Sequence, residues 1–252
     1  MQKNIVARGS MVALGVACGL VLVAIAGEAP VPQAQANAVA RVRLFILSGQ
    51  SNMAGLNPDV SFTPALTNAF PKDDVIVVKE AVNGQPIRKW YKQWKPAPGQ
   101  AMPPGGGIGQ LYDQLVTKVR DAIQSKARPD SVVFVWMQGE ADAKGYGSVY
   151  EESLRGVIKQ LRDDLKRPDM GVVIGRISDF GNSDTNRPDW NLIRRVQVKI
   201  AESDPLAAWV DTDDLNGPAN GLHYDRQGYA TLGSRFAARA IELIRRNDNR
   251  AK

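Results

Sequence analysis

The chain has 252 residues, with 32 Lys and Arg against 26 Asp and Glu for a net charge of +6, and 44% of its residues are hydrophobic. That is the balance of a globular protein rather than a disordered one. It has one cysteine, Cys18, and one histidine, His223, so an intramolecular disulfide is excluded, a Cys/His zinc site lacks ligands, and any chemistry that needs an imidazole near neutral pH falls to His223.

In chain order, residues 1–36 read as a targeting segment. Lys3 and Arg8 precede an uncharged, apolar run from Met11 to Gly27, and Ala34-Gln35-Ala36 places small residues at the spacing of a signal-peptidase site. Cleavage there predicts an exported protein, periplasmic or secreted. The alternative is an uncleaved membrane anchor, since the run is close to the minimum for a spanning helix. Residues 37–252 then form a single domain of 216 residues that has lost Cys18 and carries a net charge of +5. A chain of this size can build its own core without disulfides. No basic run interleaved with aromatic residues marks a nucleic-acid face, and no membrane partner is expected after cleavage.

The remainder alternates strand and helix patterns. Val42–Leu47, Val75–Lys79, Ser131–Trp136, Val172–Ile177 and Ala208–Asp211 are short runs rich in Val and Ile, suited to parallel strands covered on both faces. Helical spacing groups Leu111, Leu115, Val119 and Ala122/Ile123 on one face, and Leu154, Val157/Ile158, Leu161 and Leu165 on another. Ile193, Val196/Val198 and Ile200 indicate a third helix, and Gly228–Ile244 a last one. This alternation predicts an open parallel α/β sheet of five strands with helices on both sides. Residues 96–109 are Pro- and Gly-rich and read as one long loop.

Open sheets of this type bind ligands beyond the carboxyl ends of their strands. The first strand leads into Ser48-Gly49-Gln50-Ser51-Asn52, the third into Gln138-Gly139-Glu140-Ala141-Asp142, and the last into Asn220-Gly221-Leu222-His223. A hydroxyl, an acid with an amide, and an imidazole are the parts of serine acyl transfer. Taken singly, Ser51 reads as a turn or cap serine, Gln138 and Glu140 as loop residues, and His223 as a surface histidine; their convergence at three strand ends carries the functional reading. The α/β-hydrolase elbow G-x-S-x-G fits poorly, because Met53 stands where the second glycine belongs.

The segments GQSNMAG (49–55), WMQGEAD (136–142) and GLHYDRQG (221–228) resemble those of the sialate O-acetylesterase domain family, close to the acetyl xylan esterases of carbohydrate esterase family 6 within the SGNH hydrolases. The resemblance covers nearly all of 37–252. It implies a flavodoxin-like, three-layer α/β/α sandwich and a metal-independent, cofactor-free esterase acting on an O-acetylated carbohydrate (acetylxylan, sialic acid or another glycan). Carried over by motif, Ser51 is the nucleophile and His223 the base. The oxyanion hole draws on the N–H groups of Ser51 and Gly84 and the side chain of Gln138. Two positions depart from the family pattern. Asn220 stands where an aspartate usually precedes the histidine, and Met137 where many members have a histidine. Asn220 can orient an imidazole but cannot stabilise its charge as a carboxylate does. The resemblance implies the glutamate of the QGE segment as a partner for the histidine, so Glu140 is the expected triad acid, with Asp142 bracing its loop and Asp211, Asp213 or Asp214 as substitutes. The Asn220-Gly221 pair is also prone to deamidation, which would restore a carboxylate.

Two further signals stay open. Gly105–Gly109 resembles a phosphate loop but has no strand directly before it and no Lys-Ser/Thr after it, so it reads as the lead into a helix over 110–126. Trp90, Tyr91 and Trp94 alternate with lysines. They either pack against the sheet or form a sugar-stacking wall in which Arg88, Trp90 and Trp94 contact substrate. The leading reading is an exported serine acetylesterase. Its alternatives are an acetyltransferase of the same fold and a carbohydrate-binding protein of weak catalytic power.

Overall fold

The computed structural model describes residues 40–126, 128–181 and 187–250. The expected leader, 1–36, and Cys18 lie outside the described residues.

Five parallel strands make one sheet: β1 (Val42–Gly49), β2 (Asp74–Ala81), β3 (Ser131–Met137), β4 (Gly171–Gly175) and β5 (Ala207–Val210), in the order β2-β1-β3-β4-β5. Alternation within each strand decides the layers. Leu44, Ile46, Val132, Phe134, Trp136, Val172 and Ile174 enter one core, and Phe45, Leu47, Val133, Val135, Met137 and Val173 enter the other. Each such side chain contributes about 1.5–3 kcal/mol on burial, so neither face can be left in water, and both are covered. Helices α3 (Gln110–Ile123), α4 (Tyr150–Asp164) and α5 (Pro188–Ser203) supply the first core. Helices α2 (Phe62–Ala69) and α6 (Arg226–Arg250) supply the second. The result is the open parallel sheet with helices on both sides expected from the strand–helix alternation, and the α/β/α sandwich that the resemblance implied.

Sheet order positions the site. The chain moves outward from β1 to β2, then returns across it to β3, so the switch point lies between β1 and β3, where a crevice opens beyond the carboxyl ends. Register aligns Gly49 with Ala81 on one side and Met137 on the other, so three loops leave the sheet at one level. Gly49 permits this closeness: a Cβ there would lie 1.9 Å from the Met137 carbonyl oxygen. The same carbonyl accepts the Gln50 N–H at 2.9 Å.

Among the described residues no helix is long and apolar enough to cross a membrane.

Candidate active site

A five-residue helix, α1 (Ser51–Gly55), begins one residue beyond the β1 turn. Lys79 on β2 fixes its far end by donating to the Ala54 and Leu56 carbonyls at 2.9 and 2.5 Å. Gly55 lets α6 approach, since a Cβ at that position would meet the Tyr229 ring at 2.5 Å. Ser51 is half-buried at the head of this helix. Neither its hydroxyl nor its N–H is used in a hydrogen bond among the described residues, and the Gly84 N–H is equally free.

Asn52 joins the three motif segments. Its Nδ2 donates to Glu140 Oε1 at 2.9 Å and to the Leu222 carbonyl at 3.1 Å, and its Oδ1 accepts from Tyr229 at 3.3 Å. The buried amide thus ties the serine helix to the acid loop and to the residue preceding His223. Glu140 is 6% exposed. Burial pushes its carboxyl above the ordinary range, against hydrogen bonds that pull it down, and its Oε2 has no partner. His223 is exposed. No hydrogen bond joins it to Ser51 or to Glu140, yet all three line one cleft of about 760 Å³ together with Gln50, Asn83, Gly84, Lys144, Phe180, Arg187 and Trp190.

Several expectations need correction. The Gln138 amide does not face the cleft. It is fully buried, and its Nε2 meets Asp142 Oδ2 at 2.5 Å, the Gln85 carbonyl at 3.2 Å and Gln50 Oε1 at 3.3 Å. Two N–H bonds facing three protein acceptors leave none for a substrate. Trp90 and Trp94 are core residues rather than a sugar platform, at 0% and 4% exposure. Trp90 donates to Ser48 Oγ at 2.9 Å and meets Trp136 edge-on, and Trp94 packs against Tyr146. Arg88 does not line the cleft; it donates to the Pro104 carbonyl at 2.9 Å and, with Lys89, ties down the long 96–109 loop.

Asn220 likewise makes no hydrogen bond to the imidazole. Its Oδ1 accepts from Asn216 Nδ2 at 2.5 Å, and the Gly221 N–H is held by the Asn216 carbonyl. Both bonds oppose the cyclisation that deamidation requires. The substitute acids are engaged elsewhere, Asp211 and Asp213 with Arg176, Asp213 also with Arg194, and Asp214 with Arg235. Asp142 Oδ2 accepts the Ile87 N–H at 2.8 Å as well as the Gln138 amide, bracing the 82–87 and 138–142 loops against each other.

One wall of the cleft was missed. Phe180, Arg187 and Trp190 follow β4, with the Arg187 guanidinium 4.8 Å from the Phe180 ring centre and 5.0 Å from that of Trp190. The rule of looking beyond every strand end, applied to β4 as to the others, points to this stretch. Among the described residues no cluster of His, Cys, Asp or Glu is placed to hold a metal ion.

Residues 54–242 match the family of carbohydrate esterases described as sialic acid-specific acetylesterases. A probable carbohydrate esterase of Arabidopsis thaliana is 22% identical over 193 residues, covering 73% of this chain and 63% of that protein. The chain thus spans less than two thirds of the length of this curated relative. The solved structure of that Arabidopsis protein superimposes with a TM-score of 0.62 at 20% identity, covering 79% of this chain and 97% of the solved one. A carbohydrate acetylesterase from Xanthomonas citri gives 0.59 at 16% identity, over 81% of this chain and 56% of that one. A GDSL-like protein from Parabacteroides merdae gives 0.54 at 16%, over 81% and 96%. At these identities the solved structures share the fold.

Proposed function

The chain belongs to the sialic acid-specific acetylesterase family of carbohydrate esterases, and on that premise we propose that it is a serine esterase removing O-acetyl groups from a carbohydrate. The observation that carries the reading is the meeting of Ser51, His223, Glu140 and Gly84 in one cleft, at the switch point of the sheet. Ser51 Oγ attacks the acetyl carbonyl while His223 takes its proton. The oxygen that becomes negative is met by the unpaired N–H groups of Ser51 and Gly84, fixed donors that need no reorganisation. His223 then protonates the departing sugar oxygen, leaving an acetyl group on Ser51. Water, deprotonated by the same imidazole, releases acetate and restores the serine.

Glu140 is the acid in this scheme. Its partner-free Oε2 suits the imidazolium N–H, and a positive neighbour would offset the burial that raises its carboxyl. Export after cleavage near Ala36 completes the proposal, and the intact mass of the protein recovered from its native host reports that cleavage directly.

The test of function is acetate release from acetylxylan, O-acetylated sialic acids and acetylated cell-wall glycans, with and without an acceptor sugar. Hydrolysis by the wild type and none by Ser51→Ala is the expected result. Acetyl appearing on the acceptor in place of free acetate would make the protein a transferase, and no turnover of any ester would refute the assignment.

A further inference from the structure

With no hydrogen bond from His223 to Ser51 or Glu140, the place of the imidazole at the cleft is set by its backbone. Asn52 holds the residue before it through the Leu222 carbonyl. Residues 217–220 form a turn. The Gly217 carbonyl accepts the Asn220 N–H at 3.1 Å, and the Asn216 carbonyl accepts the Gly221 N–H at 3.0 Å. Asn220 closes the turn at φ +46°, left-handed backbone that asparagine tolerates better than most residues.

One buried amide fastens this turn to the rest of the molecule. Asn216 is 7% exposed and does not line the cleft. Its Nδ2 donates to Asn220 Oδ1 at 2.5 Å and to Asp179 Oδ1 at 3.0 Å. An ionised Asp179 only accepts, which fixes the end of the Asn216 amide that faces it. Asp179 lies past the end of β4, next to Phe180 of the cleft wall. The residues before Asn216 dock on the same stretch. Thr212 Oγ1 donates to the Arg176 carbonyl at 2.6 Å, and Arg194 bridges the Ile177 carbonyl and Asp213 at 2.6 and 2.7 Å. Asn216 is the last of these ties and the one of them that extends to the histidine turn.

We propose that Asn216 is a positioning residue for His223. By clamping the histidine turn to Asp179 it keeps the imidazole within reach of Ser51, the role that an aspartate at position 220 would fill by bonding the ring directly. The assignment rests on the esterase reading above. In that reading the base must come within hydrogen-bond distance of the Ser51 hydroxyl when the serine attacks, and a misplacement of about 1 Å costs on the order of a hundredfold in rate. A turn pinned by Asn216 at one end and by Asn52 at the other supplies the placement without a bond to the ring.

Asn216→Asp separates positioning from a purely structural role. The carboxylate has the size of the amide but sets oxygens against Asp179 Oδ1 and Asn220 Oδ1. With an aryl acetate as probe at pH 8, well below the thermal midpoint, kcat is expected to fall on the order of ten- to a hundredfold, while KM changes less than about threefold because no cleft contact is altered. Covalent labelling of Ser51 by an aryl phosphonate slows in parallel, since it too needs His223 to take the serine proton. Adding Asp179→Asn rebuilds the clamp with its polarity reversed: the new amide donates to the new carboxylate, and the Asn220 amide turns to do the same. The double variant is expected to recover kcat to within about threefold of the wild type, a coupling that a general loss of stability does not produce. Wild-type kcat in both Asn216→Asp and Asn216→Ala, a rise in KM with kcat intact, or a double variant no faster than Asn216→Asp overturns the assignment while leaving the esterase reading in place. Wild-type protein inactive on every acetyl ester and unlabelled by the phosphonate overturns both.

Discussion

Asp142 makes the stability of the fold depend on pH in a direction opposite to most carboxylates. It is 1% exposed. Burial pushes its carboxyl up to about 7, although hydrogen bonds from Gln138 and the Ile87 N–H favour the charged form. A folded-state value above the unfolded one means that the folded chain holds the proton more tightly. The stabilisation is therefore complete below pH 3.8, the ordinary value, and is lost as the pH rises through about 7. The gap between 3.8 and about 7 is worth a few kcal/mol, and roughly 2–3 kcal/mol of it disappears between pH 5 and pH 8. Asp142→Asn removes the titration and little else. Both donors sit on the single oxygen Oδ2, which an amide oxygen can replace. Urea denaturation followed by tryptophan fluorescence at pH 5, 6.5 and 8 measures the difference. Relative to the wild type, the variant should gain roughly 2–3 kcal/mol across that range with an unchanged denaturant slope. Parallel curves for the two proteins, within about 0.5 kcal/mol at every pH, would refute the claim that burial dominates at Asp142.

Three other substitutions probe the frame of the site. Asn52→Ala leaves the Glu140 and Leu222 oxygens without the donor they share; chemical denaturation should show a loss of about 2–3 kcal/mol, with kcat reduced because the acid and histidine loops are no longer tied to the serine helix. Gly49→Ala drives a Cβ into the Met137 carbonyl and should cost about 4 kcal/mol or more, seen as a collapsed thermal midpoint or insoluble protein; a soluble variant of normal midpoint would contradict the close approach of β1 and β3. Trp90→Phe removes the bond to Ser48, which still donates to the Glu80 carbonyl. About 1 kcal/mol should be lost with no change in KM for an acetylated oligosaccharide, and a KM rise would put Trp90 back in contact with substrate.

The strands were legible because parallel strands buried on both faces need apolar residues at consecutive positions, as in SVVFVWM of β3. Their ends were less so: Ser48 and Gly49 extend β1 through a buried hydroxyl and a close backbone contact rather than through hydrophobicity. Helix α2 left almost no trace, since over eight residues only Phe62 and Leu66 are buried and Pro64 interrupts the pattern. At the site, the rule that ligands gather beyond strand ends brought Ser51, Glu140 and His223 together. What a motif cannot show is which atoms of a side chain are already taken. Gln138 looks like a donor in sequence and is consumed by Asp142 in space. Trp90 sits among lysines in sequence, yet a one-turn 3-10 segment, Ile87–Lys89, precedes it and its ring lies in the core. Asn220 lies three residues from His223, but its amide oxygen is taken by Asn216 four residues earlier.

In the proposed mechanism an acetyl group passes through Ser51. Rapid acid quenching during turnover of an aryl acetate, followed by peptide mass analysis, tests it most directly. One acetyl group is expected on the peptide containing Ser51 in the wild type, and none there in Ser51→Ala or in His223→Ala. Continued turnover by Ser51→Ala, or acetyl found on another residue while Ser51 stays free, would contradict it.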